Sequence, residues 1–220
     1  MNLPLTYITP RRPVTDQDRR QVREDLPEID LIPDPELRRL CVEAWCHSLS
    51  CSGFNRIMDL PPEGNPGAPV LRAGGTQPDH LRGVVRLAAA IAKEFRAAWP
   101  DVTIDDNILM AGAVCHDVGK PYEFDPENRA RWQADGSING DPTFRHSVVG
   151  MHFCLMAGLP VEVAHIAVGH SFEGLHMGVS AECLIVRQAD HGWWQVAGAL
   201  GLLTPESMAS LPSNVRARRT

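Results

Sequence analysis

The sequence has no apolar run approaching the ~20 residues that cross a bilayer. Its two most apolar stretches, residues 108–115 and 196–203, are short enough to be buried helix. It has no basic surplus: 21 Lys and Arg stand against 27 Asp and Glu, for a net charge of −6. That argues against a dedicated nucleic-acid or anionic-membrane binder, since both rest on a basic surface. Gly and Pro number 18 each, too few for a low-complexity chain. No internal repeat and no useful apolar–polar alternation appears, so strands are not expected. The first residues, MNLPLTYITPRRP, are proline-punctuated and lack the apolar stretch of a secretory signal. Six cysteines (41, 46, 51, 115, 154 and 183) sit in a chain large enough to fold without disulfides. They read as core residues in a reducing, cytoplasmic compartment.

What is present is helical. Thr15 can cap a helix over DQDRRQVREDL, and Asp34 another with Pro35 at its first position. Apolar residues then recur at helical spacing over 78–99, from Thr103 to a stop at Gly119 and Pro121, and through three later segments ending near residue 203. Residues 121–142 carry Gly, Pro, Asn and Asp and read as an excursion, with a small hairpin around DGS, that forms part of a lid. The expected division is an N-terminal helical extension (1–60), a Gly/Pro-rich loop (61–77), a main helical domain (78–205) and a basic tail (206–220). The five arginines between 11 and 23 are offset locally by Asp16, Asp18, Glu24 and Asp25 and read as a solvated or subunit-contacting arm.

Nine histidines are present. A lone histidine on an apolar helix is usually a satisfied core residue. Here several occupy the ends of successive apolar helices: His80 near one start, His116 with Asp117 at an end, His146 at a start and His170 at an end. Asp190 lies inside the last helix. Imidazole and carboxylate suit iron, manganese, nickel and zinc. A carboxylate can also bridge two cations, and coordination offsets the cost of burying charge.

The ordered set DHLRGVV, AVCHDVGKP, FRHSVVG, AHIAVGHS and IVRQAD resembles the HD-domain metal-dependent phosphohydrolase superfamily over roughly residues 78–195. The resemblance implies an all-α bundle with a five-helix metal-binding core, the 78–205 unit being the HD domain. It implies one cation on His80, His116, Asp117 and Asp190, and a second on Asp117, His146 and His170. Two divalent transition-metal ions follow, iron first, with manganese, nickel or zinc as alternatives.

Two reaction classes fit that resemblance. In the first, a dinuclear site activates water to hydrolyse a small phosphate ester or nucleotide-like substrate. Asp117 and Lys120 are then the catalytic residues, with Lys120 and Arg145 neutralising phosphate oxygens. In the second, a di-iron centre cleaves a C–C or C–P bond of a small hydroxylated substrate, as in oxygenases of the inositol oxygenase type. GHSFEGLHMG is locally similar to that branch and would set Ser171 and Lys120 on substrate. Trp193 and Trp194 follow Asp190, and Tyr122, Phe124 and Trp132 follow HDVGKP. These aromatics can line a substrate pocket, Trp193 first among them, while Trp193 and Trp194 can alternatively serve as core or oligomer contacts. The expected partner is a small molecule, not nucleic acid or membrane, with a homo-oligomer left open.

Overall fold

The computed structural model describes residues 8–64, 70–71, 75–140, 142–209 and 211, apart from the side chains of Ile138 and Asn139. It is all-α: α1 (Asp16–Asp25), α2 (Pro35–Ser50), α3 (Gln77–Ala98), α4 (Asp106–Cys115), α5 (Lys120–Phe124), α6 (Pro126–Ala134), α7 (Gly136–Asn139), α8 (His146–Ala157), α9 (Val161–Gly169), α10 (Ala181–Ala199) and α11 (Pro205–Met208). Among the described residues there is no sheet, only the isolated bridges Glu63–Val70 and Leu71–Leu203. None of the described helices is long and apolar enough to cross a membrane. Residues 1–7, residues 65–69 and 72–74 of the 61–77 loop, and nearly all of the tail after residue 209 lie outside the described residues.

Local chemistry sets the helix starts. Thr15 and Thr76 each form a capping box, with Asp18 and Asp79 three residues on. Asp34 accepts from the backbone N–H groups of Glu36 and Leu37 while Pro35 takes the first position. Gly158 ends α8 with φ 86°, a left-handed conformation that a side chain would strain.

The helices share one apolar core. α2 lies against α4 and α8, α3 against α4 and α10, and α9 against α4 and α8. Trp45 of α2 is fully buried, and its indole N–H donates to the Val114 carbonyl at 3.1 Å. All six cysteines are free and buried. Burial pushes the Cys46 thiol up to about 12.

Three local expectations are corrected. The helix expected from Thr103 begins at Asp106, because the Asp105 carboxylate accepts from Asn107 and Ile108 N–H. It ends at Cys115. Gly119 and Pro121 do not stop the chain but restart it: Pro121 occupies the second position of α5, where no amide hydrogen is needed. The hairpin around DGS is absent, since Asp125 caps α6 with Pro126 at its first position, and α7 follows. Tyr122, Phe124 and Trp132 are core residues, at most 2% exposed.

The N-terminal arginines also find partners within the chain. Arg11 makes a bidentate contact with buried Asp125, at 3.0 and 2.8 Å, and Arg19 pairs with Glu43 at 2.7 Å.

Candidate metal centre

Four helix termini and one helix interior bring six side chains together. His80 projects from the first turn of α3, His116 and Asp117 from the turn after α4, His146 from the first position of α8, His170 from the end of α9 and Asp190 from within α10. They form two groups, His80–His116–Asp190 and Asp117–His146–His170, in each of which the donor atoms lie within 4.8 Å of one another. All are buried, with only the Asp190 side chain reaching 12% exposure.

Asp117 joins the groups through its two carboxylate oxygens. Oδ2 lies 3.3 Å from Nε2 of both His80 and His116. Oδ1 lies 3.4 Å from Nε2 of His146 and 3.6 Å from that of His170. His80 Nε2 is also 3.3 Å from Asp190 Oδ1.

Ring orientation is set from behind. His116 Nδ1 donates to the Ala113 carbonyl at 2.7 Å, and His170 Nδ1 to that of Ala167 at 2.8 Å. Each imidazole thereby caps the helix that it terminates and turns Nε2 inward. His146 opens its helix and uses a side chain instead: its Nδ1 donates to Glu123 Oε2 at 2.7 Å. Gly119 permits this approach, because a Cβ there would lie 2.0 Å from the His146 carbonyl oxygen. Arg187 donates to the Gly169 carbonyl and fixes the backbone beside His170.

The electrostatics follow from this crowding. Burial raises the Asp117 carboxyl, but Lys120 and His116 outweigh it and hold the group well below the ordinary carboxylate range. Burial likewise opposes ionisation of Asp190 and Glu123, and His80 and His146 respectively overcome it, so both carboxyls are lowered. His80 is raised: burial disfavours its charge, and Asp117 and Asp190 more than compensate.

The donor set fits divalent cations. Once Nδ1 of His116 and His170 donates outward, Nε2 presents a lone pair to a buried carboxylate oxygen. Such a contact is repulsive unless a proton or a metal ion lies between them. Nitrogen and carboxylate donors of this kind suit first-row transition metals.

The other expected site residues sit around this cluster. Lys120, 1% exposed, donates to Asp117 Oδ2 at 2.9 Å and to the Glu63 carbonyl at 3.1 Å. Arg145 and Ser171 are together, Nη2 donating to Oγ at 3.2 Å, with Glu173 3.7 Å from the guanidinium. Trp193 is half-buried, its ring 4.8 Å from that of His80, and Gly83 leaves it room against α3. Trp194 packs at the same distance from His80 but is buried.

Sequence reasoning missed Glu123, Gln77 and Arg187. Gln77 stands one turn before His80 on the same face and is fully buried. With its amide oxygen toward Lys120, it accepts from Nζ at 3.1 Å and donates to the carbonyls of Glu63 and Pro61. Its spacing from His80 was a usable signal. Glu123 and Arg187 reach their partners across helices, which no local spacing reveals.

The model of the HD domain family matches residues 79–191, just over half of the chain. The chain belongs to the HD-domain family. Neither a curated protein nor a solved structure matches it. HD domains form a superfamily of metal-dependent enzymes that bind divalent cations, and the His and Asp groups described here can hold a metal.

Proposed function

We propose that this HD-domain protein is a phosphohydrolase that uses two divalent transition-metal cations on a small phosphate ester or nucleotide-like substrate. One observation carries the reading: the two oxygens of Asp117 face different ligand groups, as expected of a bridging carboxylate. His80, His116 and Asp190 would hold one cation, His146 and His170 the other, and Asp117 both. Bound there, the cations supply Lewis acidity and an acidified water.

The remaining roles belong to the chain. Lys120 neutralises Asp117 and keeps it ionised. Arg145 and Ser171, at the edge beside His146 and His170, offer donors for the non-bridging oxygens of a substrate. Trp193, against His80, presents an aromatic surface to its leaving group. Burial of the cluster removes bulk water and strengthens each of these interactions.

An activity screen of the metal-loaded protein tests the reading. Hydrolysis of a phosphomonoester, phosphodiester or nucleotide is expected, with Arg145→Ala raising KM. No hydrolysis, together with O₂ uptake in the presence of a polyol or phosphonate, would reverse the assignment in favour of the di-iron oxygenase branch.

A further inference from the structure

We infer that Glu123 is a positioning residue for the candidate centre: its carboxylate holds the hydrogen of His146 on Nδ1, turns Nε2 toward Asp117, and so completes the group Asp117–His146–His170. The inference takes the role of that group from the proposed function.

Position along the helix explains why Glu123 is needed. His116 and His170 close their helices, so a carbonyl three residues back is available to each Nδ1. His146 opens α8, and no carbonyl of its own helix precedes it. An orienting acceptor must therefore come from another element. Glu123 of α5 supplies it at 2.7 Å, from a side chain that is 1% exposed. His80, also in a first turn, has no such acceptor, and its Nδ1 lacks a partner among the described residues. The second group is thus the one whose histidines are both oriented from behind.

Energetics point the same way. Burying a carboxylate is costly, and an apolar residue of similar size would serve the core at least as well. The Arg145 guanidinium stands 3.9 Å from the Glu123 carboxylate, farther than His146. The site that Glu123 occupies suits a task at His146 better than a task in packing. Carboxylates that accept from the outer nitrogen of a ligating histidine raise its basicity and fix its ring.

The test has two arms, on wild type, Glu123→Ala and Glu123→Gln. In the first, proton and nitrogen NMR of metal-free protein follows His146. A downfield, slowly exchanging Nδ1–H is expected in wild type, lost in E123A and retained at a different shift in E123Q, whose amide oxygen still accepts. The Nδ1–H signals of His116 and His170 should persist in all three. In the second, Mn(II) titration should show two equivalents in wild type. E123A should bind one of them about ten- to a hundredfold more weakly, with E123Q recovering most of the loss. A wild-type His146 without a protonated Nδ1, an unchanged resonance in E123A, or two unaltered Mn(II) equivalents in E123A would overturn the inference. Should wild type bind no cation, the reading of the metal centre fails instead, and the NMR arm alone decides the role of Glu123. Should E123A not fold, the wild-type and E123Q spectra still decide it.

Discussion

Replacing Lys120 with Met removes the ammonium that balances Asp117 while keeping most of the buried volume. Nζ donates to Asp117 Oδ2 at 2.9 Å and to the Glu63 carbonyl at 3.1 Å, and Asp117 is 2% exposed. Removing one partner of a buried ion pair destabilises a protein by about 3–5 kcal/mol. In a chain of this length each kcal/mol shifts Tm by about 2–4 °C, so a drop of about 6–20 °C is expected without metal. Cations bound beside Asp117 neutralise it by another route, so the difference between wild type and K120M should shrink when Mn(II) is present. Circular-dichroism melts of both proteins, in chelator and in excess Mn(II), measure the two differences. A double-mutant cycle with Asp117→Asn then isolates the pairwise energy. Equal losses with and without Mn(II), or a metal-free loss below about 1 kcal/mol, would refute the reasoning.

Other outcomes follow from single contacts. Gly119→Ala should destabilise the protein by about 3 kcal/mol in urea melts, the upper end of the usual overpacking cost, because the clash is with backbone that cannot step aside; a near-neutral result would deny the close approach. The raised His80 must shed a proton before it can ligate, so metal affinity measured by calorimetry should climb with pH and fall on acidification. In metal-free protein, the stabilisation from His80 is complete below its ordinary value of 6.5 and is lost as pH rises through the higher folded value. That from Glu123 is present above its ordinary 4.5 and is lost as pH falls through the lower folded value, so urea midpoints should decline on both sides. A thiol reagent should find all six buried cysteines unreactive in native protein and reactive after unfolding, since burial raises Cys46 to about 12 and Cys183 to about 11.

The bundle was legible because its signals are local. Thr15, Asp34 and the 3.6-residue apolar period act within one or two turns, so α1, α2 and α3 could be read directly. The candidate ligand histidines and aspartates were legible as an ordered set, all but Asp190 tied to a helix end. The hairpin around DGS was misread because Pro and Gly punctuate both turns and helix starts. The Asp125–Pro126 pair decides for a helix only once Asp125 is seen to accept from Asn128 N–H. Glu123 was invisible for a different reason: its meaning depends on α5 folding back against α8, a contact set by the missing Cβ of Gly119. Lys120 illustrates the same limit. Its proximity to Asp117 follows from spacing, whereas its bond to the Glu63 carbonyl does not.

Metal content of anaerobically purified protein, by elemental analysis beside an Asp117→Asn variant, tests the central claim most directly. The bridging role proposed for Asp117 predicts two equivalents per chain in wild type and a marked loss in D117N. One equivalent or none in wild type after supplementation with iron and manganese, or two equivalents surviving in D117N, would contradict it.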